Sequence, residues 1–597
     1  GQRKRDYPLH YSEHYPWQPQ MKEFDTYFNN LGAILSRGEE YAPVLVIHPI
    51  HGAYCKYKKG TDSLREIEGK FFELSRLLGR NQVPYHWGDE WMMQRLASVD
   101  GKTVRVGNCS YGAVLVPFTY SLDSNTAALL KEFMENGGAV YCFGGIPPYV
   151  DGLPADGKLD FLADALPADG VLALRDAAFE GQFGDFRKMT RILPDGEKIV
   201  FLTNIGTGAY CPVRIDLPAG NWAELDVNTL KLKPVCFENT ESGTVVTLKF
   251  EDAESHVLVC SDEIDLPAAP APALPSKFIP IPRTVRLAEK PLNVMTLDTV
   301  SRSDDGVNWQ EPLSVYGVKD NLLRERYDGP VWLKFTFDCG SVPSSLKFVV
   351  EPMYTRVTVN GTEIAPSKDD WWFDRSFASA EIAPFTKEGL NEIVVEVNHH
   401  QPDYVYYVLF SPVSESLRNC LVFETEIEPC YLVGDFALRS SGVFEDGERN
   451  STVYDGGFTL VKQPSSVPAR DVVRGGFPFY GGPLATEFAY EWKEGMPTVL
   501  KCDGRFAAAD VTVNGESAGS MLFFRTVDLS PFLKEGKNTI GVKIVKSMRN
   551  AMGPHHRHDP EPSGLGPNTF SFEKEWNGRE CRGYVPRYAF VKFGLKK

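Results

Sequence analysis

The sequence predicts a multidomain fold: an α/β domain built on a parallel sheet, then a small all-β domain, then two antiparallel β-sandwiches. Three observations carry this. Apolar strands alternate with glycine-capped helices in the first third, a proline-rich run follows, and a motif beyond it recurs at domain scale.

The first forty residues open on a basic segment, Arg3-Lys4-Arg5, and lead into a helix over 21–37 with Phe24, Tyr27, Phe28, Leu31 and Ile34 at helical spacing. One helix cannot bury its apolar stripe alone, so residues 1–40 are expected to be the tail of, or linker from, a domain that lies upstream, which the resemblance given below implies is a (β/α) barrel. Over 41–175 the period alternates. Strands are expected at 44–47, 111–116 and 139–143, with helices at 67–78 and 125–136, the latter closed by Gly137-Gly138. Apolar strands between helices indicate a parallel sheet. Residues 176–262 read as strands separated by Gly, Asn and Asp turns, a small β domain. The run 263–283, with Pro267, Pro270, Pro272, Pro275 and Pro280, is an extended linker.

The sandwiches are expected over 284–445 and 446–597. Thr358-Val359-Asn360-Gly361 with IAPFTKEGLN (382–391) recurs as Thr512-Val513-Asn514-Gly515 with LSPFLKEGKN (529–538). The copies lie about 154 and about 147 residues apart, beyond any solenoid period, so each unit should have its own core. Asn-Gly tolerates positive φ at both residues and favours a two-residue hairpin turn. Gly329-Pro330 with Phe335 and Gly482-Pro483 with Phe488 extend the match.

The 597 residues are 43% hydrophobic, enough for several cores, and no run of eighteen apolar residues suggests a membrane span. A net charge of −16 with no basic stripe argues against a nucleic-acid surface. The 11 cysteines are scattered without a Cys-x-x-Cys pair, which fits neither a disulfide framework nor a zinc site.

Candidate chemistry lies in three places. Asp369-Asp370-Trp371-Trp372 sets aromatic faces beside carboxylates, a combination that grips sugars by CH–π stacking and hydroxyl hydrogen bonds. His399 and His400 with Asp403 and Tyr404 close the first sandwich, and His555 and His556 sit at the matching place in the second, where neutral imidazoles can hydrogen-bond hydroxyls. His48 and His51 follow the first α/β strand, where such folds place ligands. Metal binding by the 555–558 histidines lacks orienting secondary structure. Asp304-Asp305 and Asp455 leave room for a structural calcium, with no cofactor required. Gly144-Gly145 reads as a plain turn. Cys142 and Ser110 are the nearest candidate nucleophiles, without a Gly-x-Ser-x-Gly context.

Residues 2–8 with Tyr15-Pro16-Trp17, the 113–117 strand, Gly137-Gly138 and the ending 550–556 resemble the region that follows the catalytic barrel in large bacterial glycoside hydrolases akin to the α-L-rhamnosidases of glycoside hydrolase family 106. The sandwiches resemble the galactose-binding-like jelly rolls of glycoside hydrolase family 2. The likeness implies that the α/β domain is a Rossmann-like, degenerate amidotransferase-like domain and that the catalytic glutamates belong to a barrel outside this chain. The implied partners are a glycan or glycoside substrate and a catalytic barrel domain or subunit, with room for homo-oligomer contacts. The chain is then the non-barrel portion of a glycosidase, soluble, and cytoplasmic unless an upstream signal directs it to the periplasm or outside. The alternative is a free-standing carbohydrate-binding or scaffold protein.

Overall fold

The computed structural model describes residues 15–181, 185–414, 416–417, 420–448, 450–553, 555–556, 575–576, 579–580 and 585–596. The opening 2–8 motif and Pro554, Arg557, His558 and Asp559 lie outside them. The chain is mostly β and forms two compact units, Glu23–Pro275 and Ser276–Lys597, the latter including Gly1–Lys22.

In the first unit, five parallel strands form one sheet: β1 (Val44–Ile47), β2 (Tyr85–Gly88), β3 (Ala113–Val116), β4 (Ala139–Cys142) and β5 (Leu166–Pro167). Their spatial order is 2-1-3-4-5. Alternation along β1 divides the core between two faces. Leu45 and Ile47 pack with Met93, Leu130 and Phe133, while Val44 and Val46 pack with Leu74 and Leu78. Helices therefore lie on both faces, which is why these strands read as continuous apolar runs. The connecting helices are α1 (Met21–Leu35) ahead of the sheet, α2 (Ile50–Lys56), α3 (Arg65–Arg80), α4 (Glu90–Leu96) and α5 (Ser124–Glu135). The short α2 and α4 have no clear period in the sequence and were not expected.

The β domain of this unit stacks a six-stranded antiparallel sheet on a four-stranded one around Phe186, Val200, Leu202, Ile215, Trp222, Val246 and Phe250. The outer face of the larger sheet is covered by α1. Tyr27, Leu31, Ile34 and Leu35 pack on Leu193, Ile199, Val227 and Val257, and Asn30 Nδ2 donates to Val227 O at 2.8 Å. This corrects the expectation that the stripe needs an outside body: most of it finds cover in this chain. Phe24 and Phe28 keep exposed rings. The proline run is bonded to the domain at each of its ends. Ala269 N donates to Val235 O in the first unit, and Ile279 N donates to Val499 O in the second.

The second unit holds the sandwiches on one continuous core. Their strands cross the 445/446 boundary. Strand Thr284–Leu287 joins the sheet of the second repeat through Arg286 opposite Glu487, and Phe458–Lys462 pairs with Phe436–Ser440 and runs beside Cys339 of the first. Exchanged edge strands of this kind leave no compositional break to read.

The repeated motif is a lock. Asn360-Gly361 and Asn514-Gly515 all have positive φ, the two-residue hairpin geometry expected. Asn360 Nδ2 donates to Asn391 Oδ1 at 2.8 Å, and Asn514 Nδ2 to Asn538 Oδ1 at 2.9 Å. Asn391 and Asn538, both fully buried, then bond Lys387 and Gly389, or Lys534 and Gly536, through the backbone. Upstream, Tyr327 and Tyr480 each donate a hydroxyl hydrogen bond to the proline carbonyl three residues on, Pro330 and Pro483. Two helices of the first repeat, α6 (Val315–Glu325) and α7 (Asp403–Phe410), interrupt the strand pattern and were not expected. Among the described residues no helix is long and apolar enough to cross a membrane.

Candidate functional site

The repeats differ most in the segment that follows the Asn-Gly hairpin. In the second repeat, 521–525 connects strands Glu516–Ser520 and Thr526–Asp528, held by a buried Met521 and by Arg525 O accepting from Cys502 N. In the first, the longer 365–377 connects Thr362–Ile364 to Ala378–Glu381 and carries Asp369, Asp370, Trp371 and Trp372. This loop is built rather than loose. Asp370 accepts from Lys347 Nζ at 2.5 Å and from Ser379 Oγ at 3.0 Å, and the Lys347 bond holds its carboxyl below the usual range. Trp372 anchors inward, its ring 5.3 Å from that of Tyr431. Phe373 has φ 63°, and Asp374 N donates to Trp372 O at 2.7 Å. A γ-turn with positive φ at a bulky residue is rare and strained, and it persists only where the surroundings over-determine it.

The turn reverses the chain so that Trp371 keeps 38% of its surface exposed, with the Arg375 guanidinium 5.5 Å from its ring centroid and exposed Asp369 two residues before it. Tyr15 meets Phe373 edge-on at 6.1 Å and lies 5.3 Å from Trp17. An exposed aromatic ring and a guanidinium thus meet at this loop, with the exposed Asp369 two residues away in sequence. Sequence reasoning named the acids and tryptophans but missed Arg375 and Phe373, since neither the turn nor its strain shows in residue type.

The histidine pairs go elsewhere. His399 ends its strand buried, its Nδ1 2.8 Å from Tyr327 O, and burial lowers its pKa. His400 is exposed, with Nδ1 3.1 Å from Asp328 Oδ2. Asp403 and Tyr404 are exposed on the first turn of α7, whose Val405, Tyr406 and Leu409 pack on Leu323. The structure therefore spreads these four residues over a strand end, the residue after it and the first turn of α7.

His555 and His556 turn inward onto Asp298, which is fully buried between strands of the first repeat. His556 Nε2 lies 3.0 Å from Asp298 Oδ2, His555 Nδ1 lies 3.6 Å away, and Tyr588 donates to Oδ1 at 3.1 Å. His556 Nδ1 faces the Val585 and Arg587 carbonyls at 3.1 Å, so both ring nitrogens meet acceptors. Burial opposes charge at His556, yet Asp298 outweighs it and raises the imidazole. Burial likewise opposes the Asp298 charge, yet the two imidazoles hold its carboxyl well below the usual range. His555 is lowered by burial. This pair ties the C-terminal segment to the first repeat and has little surface left for a sugar, a correction to its sequence-based reading.

Two of the calcium candidates, Asp304 and Asp305, are engaged with protein donors. Asp305 accepts from Ser303 Oγ and from the amides of Val307 and Asn308, and Asp304 pairs with Arg302. Asp455 is exposed. Gly144 and Gly145 take positive φ in a turn with no helix after it. Cys142 ends β4 with its thiol pushed by burial up to about 11, the wrong direction for a nucleophile. Ser110 and His86 line a cleft of about 840 Å³ with Glu40 and Arg191, where His86 Nδ1 is 3.0 Å from Tyr111 Oη. His48 lies edge-on against the stacked rings of Phe71 and Trp87, and burial lowers its pKa. His51 Nδ1 lies 2.9 Å from Asp123 Oδ2.

No family model matches the chain, and no curated protein matches it. Solved structures with partial likeness include glycoside hydrolases. A rhamnosidase from Novosphingobium sp. PP1Y is 14% identical over 71% of this chain and 42% of its own, with a TM-score of 0.33. An exo-carrageenase from Bacteroides ovatus is 14% identical over 37% of this chain and 29% of its own, TM-score 0.24. A β-galactosidase from Bacillus circulans sp. alkalophilus is 12% identical over 40% and 44%, TM-score 0.26. This chain spans less than half the length of each, and scores this low leave its fold to be read from its own sheets.

Proposed function

We propose that this chain supplies the sugar-binding and interface domains of a carbohydrate-active glycoside hydrolase, of α-L-rhamnosidase-like type, whose catalytic carboxylates reside in a barrel outside it. The α/β layer is then a degenerate amidotransferase-like domain used for packing or self-association, and the sandwiches are galactose-binding-like modules. The observation that carries the reading is the strained 365–377 loop, which spends conformational strain to hold Trp371 half-exposed beside Asp369 and Arg375. An aromatic platform flanked by an acceptor and a donor matches a pyranose, which offers an apolar CH face and a rim of hydroxyls. The nucleophile reading of the α/β domain is disfavoured by the raised Cys142 thiol.

The experiment is calorimetric titration of rhamnose-terminated oligosaccharides into the chain and into Trp371→Ala. Saturable binding that the substitution removes supports the reading, while binding that survives it overturns the assigned loop. Turnover of aryl glycosides by this chain alone would overturn the placement of catalysis elsewhere. The free-standing binding protein is favoured by one observation: α1 is covered within the chain, so it does not itself call for a barrel. A barrel polypeptide that co-purifies with this chain and gains activity from it would decide against that second reading.

A further inference from the structure

Three connections of the parallel sheet converge at its carboxyl edge. Helix α2 follows β1, α4 follows β2, and α5 follows β3 by way of the short strand Ser121–Leu122. With spatial order 2-1-3-4-5, connections leave in opposite directions around β1 and β3, and the crevice opened there is where open α/β sheets hold ligands. Gly52 lets α2 lie against the segment after β3: a Cβ there would meet Thr119 Oγ1 at 2.0 Å. Each helix delivers one residue to this place, His51, Glu90 and Asp123.

We propose that His51, Glu90 and Asp123 form a binding site for a divalent transition-metal cation of the zinc or manganese class. One donor atom from each lies within 4.8 Å of the others. His51 Nδ1 is 2.9 and 3.0 Å from the two Asp123 oxygens, a separation that two ligands on one ion of about 2.1 Å bond length also have. Asp123 occupies the N-cap position of α5, yet its carboxylate makes no cap bond. The amide of Ser124, the first residue of α5, donates to Asp151 Oδ1 at 2.9 Å, and the Asp123 carboxylate faces His51.

Glu90 is the second, separate pointer. Its residue is 1% exposed, Oε2 accepts from Asp123 N at 2.8 Å, the Thr126 hydroxyl faces the carboxyl from α5, and Oε1 completes no hydrogen bond of normal geometry. A buried acceptor left unmet is costly, and a cation meets it. His51 and Asp123 are 23% and 24% exposed at the side chain, so an ion has a path from solvent while Glu90 floors the site. One imidazole and two carboxylates suit zinc, manganese or iron(II) rather than the thiolate-preferring ions.

The test is titration of Zn²⁺ and of Mn²⁺ into chelator-treated protein by calorimetry, with crystals soaked in the same ions for anomalous scattering. The expected result is saturable binding for at least one ion, an anomalous peak bonded to all three side chains, and binding about 100-fold weaker in Asp123→Asn and His51→Ala. Glu90→Gln, nearly isosteric and neutral, should melt no lower than the parent while weakening the ion at least about 10-fold. No heat with either ion to millimolar concentration overturns the site. So does binding that Glu90→Gln leaves unchanged in a folded protein.

Discussion

The two sandwich repeats share one lock and differ in what they hang on it. Asn360 with Asn391 and Asn514 with Asn538 make the same buried clasp, and Tyr327 and Tyr480 make the same hydroxyl bond. Beyond the hairpin they part. The second repeat closes with a short connection anchored by the buried Met521 and sends His555 and His556 into Asp298, while the first has a longer loop with a strained turn that leaves Trp371 exposed. What recurs is scaffold, and what does not recur is where recognition is to be sought.

Breaking the tie between the repeats should cost most. Asp298→Ala leaves a buried imidazolium unmatched and should lower stability by about 3–5 kcal/mol, read from the urea midpoint. A loss below about 1 kcal/mol would mean the C-terminal segment is not held there. The clasps come next. Asn391→Ala and Asn538→Ala each remove a buried amide with the backbone bonds it makes and should each cost about 1–3 kcal/mol by the same measurement. Similar losses sharpen the equivalence of the repeats, and a loss at only one of them breaks it.

The tie also predicts a pH dependence with a definite sign. His556 is raised in the folded state, so its contribution is complete below about 6.5 and is lost as pH rises through its folded value. Asp298 is depressed, so its contribution holds above about 3.9 and is lost only on strong acidification. His555, kept neutral by burial, works against stability below about 6.5. Denaturation at pH 6 and pH 9 should therefore show a parent minus His556→Gln difference that is larger at pH 6. An equal difference at both would contradict the ion pair. Smallest of all should be Trp371→Ala, which removes a half-exposed ring and should change stability by less than about 1 kcal/mol.

Much of this scaffold was legible. Asn-Gly at 360–361 and 514–515 announced its hairpins because positive φ at two successive residues restricts the choice to few types. Strand β1 was read at its observed ends because an apolar run of four residues is long enough for a buried strand and too short for a buried helix. The cover of α1 was not legible, because periodicity shows that a stripe needs a partner and not which one. The commitment of His555 and His556 to Asp298 was hidden by a separation of more than 250 residues. Of the candidate loop, Trp371 and Asp369 showed by type, whereas Arg375 and the turn at Phe373 depend on backbone geometry that composition does not encode.

The assignment of recognition to the unrepeated loop is tested most directly by calorimetric titration of a rhamnose-terminated oligosaccharide into the parent chain and Trp371→Ala at matched melting temperature. Saturable heat in the parent and none in the variant is the expected result. Equal heat in both would contradict it.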